Sequence, residues 1–177
     1  MAVPKLITSK GMDVKKGWFD MSSLDYSAKM DSSVTVDVPA GRVVHLNASG
    51  NFEPGADNTG VAIFLIQGSD DADVVNPGGA VSDPSVFLHV PVRPSGKMSG
   101  LVATGGYEIA TTEFDKNRSY VPGNLLTADE DGVITNENAV QYVNPIVGVV
   151  SSGKVDRNHN NIPALSFWTC WLPGEAD

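Results

Sequence analysis

The chain has 177 residues, of which 18 are Gly and 11 are Pro, and carries a net charge of −9 with an isoelectric point near 4.6. That length predicts one domain, able to bury roughly 70% of the surface its unfolded form exposes and so to fold without a disulfide or a metal. The 12 Lys and Arg are scattered, Lys15-Lys16 being the one notable pair, which argues against basic-surface binding to nucleic acid or to an anionic membrane.

Residues 1–33 differ from the rest. Val3-Pro4-Lys5-Leu6-Ile7-Thr8 suits an extended strand, and Gly11 and Gly17 interrupt the stretch after it. Trp18, Phe19, Met21, Leu24, Tyr26 and Met30 are apolar anchors among polar residues, with Met21, Leu24 and Ala28 at the spacing of one short helix. The segment reads as an extended N-terminal arm that needs a surface to lie against, either a partner or the edge of its own domain. MAVPKLITSKGMD has no apolar core of a secretory signal, and no apolar run approaches the roughly 18 residues that span a bilayer. Assembly in a cytoplasm is therefore expected.

From residue 34 to 177 the pattern predicts a single β-rich domain. Val34, Val36 and Val38 alternate with polar residues as an amphipathic strand that stops at Pro39-Ala40-Gly41, and Val43–Asn47 continues across that turn. Asn51–Gly60 reads as a loop, and Val61–Ile66 as a strand buried on both faces. Gly68–Pro84 is acidic and broken by Asn76-Pro77-Gly78-Gly79, and strand character returns at Val86–Val90. Gly105-Gly106, between Leu101–Thr104 and Tyr107–Thr112, has the spacing of a two-residue hairpin.

Ser119–Leu172 carries the clearest signals. Val121-Pro122-Gly123-Asn124 is a turn, and Asp129-Glu130-Asp131-Gly132 separates Leu125-Leu126-Thr127 from Val133-Ile134-Thr135 as a hairpin with Gly in the left-handed position. Pro145–Val150 is a buried strand ended by Ser151-Ser152-Gly153. In Ala164–Leu172, alternation puts Leu165, Phe167, Thr169 and Trp171 on one face and Ser166, Trp168, Cys170 and Leu172 on the other. Each face carries a Trp, so both are expected to be covered. About ten short strands with no helix beyond a turn or two predict an all-β barrel or sandwich. No internal repeat is evident.

The search for chemistry finds little. His45 and His89 lie in apolar strands and read as satisfied sheet histidines, and His159 lies in a polar loop. No zinc spacing, phosphate loop or nucleophile elbow occurs. Asp129–Gly132 and Asp70–Asp73 lack the ligand spacing of a calcium loop. Cys170, the one cysteine, has no activating neighbour and reads as an inert buried thiol. Asn47-Ala48-Ser49 and Asn117-Arg118-Ser119 match the glycosylation sequon, which means little without a secretory signal. No catalytic residue, cofactor or metal is assigned.

The succession Pro122–Thr127, Asp131–Thr135, Pro145–Ser151 and Ala164–Trp168 resembles the C-terminal half of capsid decoration (cement) proteins of tailed bacteriophages, lambda-type in the broad sense. The likeness covers residues 118–172. It implies a non-enzymatic structural protein on the outer surface of the virion, a homo-trimer whose partner is the major capsid protein and whose arm adds a strand to a capsid-protein edge. Val3, Pro4, Leu6 and Ile7 would then be the capsid-binding contacts, and Phe167, Trp168 and Trp171 core or subunit contacts. A head-fibre, tail or receptor-binding β module is the alternative. It would be favoured by exposed loop aromatics, for which Phe52 is the candidate.

Overall fold

Turn chemistry divides this chain into short extended pieces, and those pieces pair into two antiparallel sheets. The computed structural model describes residues 12–16, 26–58, 63–65, 96–102, 105–141, 143–157 and 162–174. The strands are β1 (Met12–Lys16), β2 (Tyr26–Lys29), β3 (Val43–Leu46), β4 (Phe52–Pro54), β5 (Ile63–Leu65), β6 (Lys97–Val102), β7 (Glu108–Thr111), β8 (Leu125–Ala128), β9 (Ile134–Thr135), β10 (Ile146–Arg157) and β11 (Ile162–Leu172). A single 3-10 turn, Ala139–Gln141, is the one helical element among the described residues. The fold is all-β.

The N-terminal sheet has the order β2-β6-β5-β3-β4, and the C-terminal sheet the order β1-β7-β11-β10-β8-β9. Every ladder is antiparallel. Beyond them, Met30, just after β2, makes a parallel bridge to Phe52 of β4, and Phe114, shortly after β7, makes one to Ile134 of β9. Each sheet therefore curls until its last strand touches the chain leaving its own β2 or β7. One bridge is not a ladder, so the architecture is a pair of curled sheets.

Several elements form where their turn residues place them. Gly123 has φ 90° and the Asn124 amide donates to the Val121 carbonyl at 3.0 Å, a turn with Pro122 at its second position. The β8–β9 hairpin pairs Thr127 with Thr135 and Ala128 with Ile134, and Gly132 takes φ 79°. Two segments of the expected arm, Met12–Lys16 and Tyr26–Lys29, are outer strands of the two sheets. Residues 1–11 lie outside the described residues, as do Gly68–Pro84 and Val86–Val90.

Four local readings are corrected. Gly105 and Gly106 have φ 108° and 87°, yet β6 and β7 do not pair: β6 joins β2 and β5, whereas β7 joins β11 and β1, so the glycines carry the chain between sheets. Residues 34–38 form no strand. They run as a cover in which Val38 is buried, Val34 half-buried and Val36 exposed, so the expected alternation of burial fails at Val36. Ser151-Ser152-Gly153 does not end the strand. β10 passes through a bulge between Val150 and Gly153, where Gly153 takes φ 74°, and continues to Arg157. Within Asn51–Gly60, Phe52–Pro54 is strand β4.

The sheets share a core. Val43 and Phe64 of the N-terminal sheet join Ile109, Leu126, Ile134, Val147, Leu165 and Phe167 of the C-terminal sheet in one buried cluster. A second cluster, Met30, Val38, Ala40, Val44 and Phe52, fills the N-terminal sheet's other side. Val43 and Val44 thus serve opposite cores, as the two-residue period of a strand requires. Polar groups tighten the joint: Arg42 Nε donates to Glu113 Oε2 at 3.3 Å and its Nη1 to the Asp131 carbonyl at 3.2 Å. The buried Thr111 hydroxyl donates to the Gly41 carbonyl at 3.0 Å.

Candidate functional site

Strand β11 divides its side chains as its alternation predicts. Leu165 and Phe167 are fully buried, Thr169 nearly so, and Trp171 is half-buried against the same core. The Phe167 ring lies tilted on Phe64, with centroids 5.5 Å apart. The other face differs from expectation. Trp168 is 40% exposed and Leu172 47% exposed, because the N-terminal sheet packs against only the Phe167 side of β11.

Register builds a row across that open face. Glu108 of β7, Trp168 of β11, Val149 of β10 and Leu125 of β8 are successive cross-strand partners. Val149 and Leu125 are half-buried, so three apolar side chains adjoin on one outward surface. Glu108 is buried at the end of the row, where its Oε1 accepts hydrogen bonds from Ser151 Oγ at 2.8 Å and Ser166 Oγ at 3.3 Å. The surface can grip an apolar partner with a carboxylate and hydroxyls at its margin. An aromatic anchor with aliphatic neighbours is the usual centre of a protein contact.

A second polar assembly lies on β3, β4 and the chain entering them. Asp31 Oδ2 accepts from the Asn47 amide at 2.8 Å and from Asn51 at 3.1 Å, and Asn47 also donates to Glu53. With the Ser33 backbone amide as the largest cause, followed by Asn47 and Asn51, the Asp31 carboxyl is lowered to about 2. His45 Nδ1 is 3.1 Å from the Gly55 carbonyl, and its Nε2 lies 3.7 Å from Glu53 and 3.8 Å from Asp57. That is a partnered sheet histidine. Asp129 Oδ1 accepts the amides of Asp131 and Val133, which is turn capping. Among the described residues no group of three or more His, Cys, Asp or Glu could hold a metal ion. Cys170 is half-buried, and burial pushes its thiol up.

Of the sequence-predicted contacts, Phe167, Trp168 and Trp171 fall on one strand but on two faces. Val3, Pro4, Leu6 and Ile7 lie outside the described residues, as do His89 and His159. The row Leu125–Val149–Trp168 was not visible in the sequence, because only cross-strand register brings it together. Phe52, the loop aromatic that would favour a receptor-binding module, is fully buried. No protein-family model, curated protein or solved structure matches the chain.

Proposed function

We propose that this chain is a structural virion protein that binds the outer surface of a phage capsid and stabilises contacts between major capsid proteins. The observation that carries the reading is the position of β1. Met12–Lys16 lies as the outermost strand of the C-terminal sheet, antiparallel to β7, so the segment that directly follows residues 1–11 in the sequence is a sheet edge. An arm that precedes an edge strand in the sequence suits strand addition to a neighbouring protein, where main-chain hydrogen bonds supply affinity and alternate side chains supply specificity. Val3, Pro4, Leu6 and Ile7 are the side chains available for that role. The resemblance over residues 118–172 supports the same role.

Deleting residues 1–11 leaves β1 in place and tests the reading. The truncated protein keeps the far-ultraviolet circular dichroism of the full chain and no longer pellets with purified expanded heads of the cognate phage. Coating at normal occupancy by the truncated protein overturns the role of the arm. Failure of the full chain to bind heads overturns the capsid role itself.

A further inference from the structure

Five strands of the N-terminal sheet and five of the C-terminal sheet have the same order. Read from β2, the first is β2-β6-β5-β3-β4, and read from β7, the second is β7-β11-β10-β8-β9. Counting along the chain, each unit pairs its first strand with its fifth, its fifth with its fourth, its fourth with its second and its second with its third. The parallel bridges match too, Met30 to Phe52 and Phe114 to Ile134.

The agreement reaches single hydrogen bonds. Asp31 Oδ1 accepts the amide two residues on at 3.0 Å, and Asp115 Oδ1 does so at 2.9 Å. The Asp31 amide donates to the Phe52 carbonyl and the Asp115 amide to Ile134, both at 2.9 Å. In the hairpin turns, Asn47 Oδ1 accepts from Ser49 and Asn51, and Asp129 Oδ1 from Asp131 and Val133. Gly50 and Gly132 close those turns with φ 75° and 79°, donating to the carbonyls of Asn47 and Asp129. Leu46 pairs with Phe52 as Ala128 pairs with Ile134. Chance convergence of strand order, bridges and turn bonds together is a poor account of this.

The correspondence makes Val43 equivalent to Leu125, Phe64 to Val149 and Leu101 to Trp168, since these occupy matching register positions. In the N-terminal unit, Val43 and Phe64 are fully buried against the C-terminal unit. Their counterparts Leu125 and Val149 are only half-buried, and Trp168 is exposed. The turn shows the reverse asymmetry. Gly132 is buried with its carbonyl accepting from the Val43 amide, whereas Ala48, Ser49 and Gly50 are exposed and a Cβ on Gly50 would meet nothing within 4 Å. The joint between the units is thus heterologous: Val43 of the row meets the Gly132 turn while Phe64 lies on Phe167 of the C-terminal core, and the row and the turn each have one copy outside the joint.

We propose that the chain is a tandem duplication of one five-stranded unit, and that the row Leu125–Val149–Trp168 binds the Asn47–Gly50 turn of a second copy by the contact that joins the units within one chain. The inference stands on this internal correspondence and not on the capsid role. Light scattering of the full chain without heads tests it. The wild type has the mass of several 18.7 kDa chains. Trp168→Asp, which removes the row, and the double variant Ala48→Arg/Ser49→Arg, which blocks the turn, each fall to the mass of one chain. An equimolar mixture of the two gives a two-chain species, because one intact row meets one intact turn. Val149→Lys replaces Trp168→Asp should the latter lose its circular dichroism spectrum. A wild type that stays a single chain at the highest concentration reached overturns the proposal. So does a turn variant that assembles like wild type, or a mixture that remains at one-chain mass.

Discussion

Gly132→Ala and Gly50→Ala form a matched pair, because the two glycines close equivalent turns with φ 79° and 75°. Any L-residue there adopts the left-handed region, at roughly 1–2 kcal/mol, part of which is offset by a stiffer unfolded chain. At Gly50 nothing further opposes the methyl group, so the expected loss is about 1 kcal/mol. At Gly132 the new Cβ falls 2.2 Å from the Val43 carbonyl oxygen and 3.3 Å from the Gly55 amide, both backbone atoms. The turn must withdraw, which breaks the bond from the Val43 amide to Gly132, worth about 0.5–1.5 kcal/mol, while the Gly55–Val43 bond within the N-terminal sheet stays. The total for Gly132→Ala is then roughly 1.5–2.5 kcal/mol, clearly above the cost at Gly50. Urea unfolding of both variants beside wild type, with midpoints and slopes compared, measures the difference. Equal losses would refute the claim that the second turn is docked and the first is free.

Three further outcomes follow from the same geometry. Phe167→Ala opens the core under Phe64 and costs about 3–5 kcal/mol, whereas Trp168→Ala, one residue on but facing outward, costs about 1 kcal/mol in the same urea experiment. Asp31 is held near 2, below its ordinary value of 3.8, so the stability it contributes is complete above pH 4 and is lost as pH falls toward 2. Melting temperatures across that window drop for wild type and less for Asp31→Asn, which has no charge to lose. The Tyr120 hydroxyl donates to the Asp115 carbonyl at 2.8 Å, and burial, with Asp115 adding to it, raises the phenol from 10.0 to about 12. Its stabilisation is therefore complete below pH 10 and lost as pH rises through 12. An ultraviolet titration shows a phenol ionisation near pH 12 that coincides with unfolding, and Tyr120→Phe removes that step.

What was legible in the sequence is what is local. Pro122-Gly123 and Asp129–Gly132 announce their turns because φ restriction, positive φ and side-chain capping act within four residues. The faces of β11 follow from its two-residue period. Which face would be covered does not, since that depends on where the N-terminal sheet packs, and Trp168 was left in the open. The Gly105-Gly106 reading failed for a related reason. Two glycines with positive φ make a turn anywhere, but pairing across it is decided by partners far off in sequence, β2 and β5 for one strand and β11 for the other. Val34, Val36 and Val38 alternate in sequence yet form no strand and share no face, Val36 being exposed where Val38 is buried, because a segment without a ladder is not held to the two-residue period. The correspondence between the units is not written in the sequence, because they keep hydrogen-bonding roles and not residue identities. Asn47 and Asp129 cap their turns alike, and Met30 and Phe114 make the same bridge with unrelated side chains.

The order of the strands along the chain has a consequence for synthesis. Residues 26–102 supply every strand of the N-terminal sheet, so that unit can complete its pairing before the C-terminal one leaves the ribosome. The C-terminal unit has no such liberty. Its last strand, β11, sits between β7 and β10, and until residues 162–172 emerge those two strands have no neighbour on that side. A ribosome stalled before residue 162, or a protease cut there, releases a chain with a finished first half and two bare strand edges in the second. Such edges recruit other chains. The C-terminal eleven-residue strand is thus the step at which folding and aggregation compete, and its removal converts a stable half-protein into a template for mispairing.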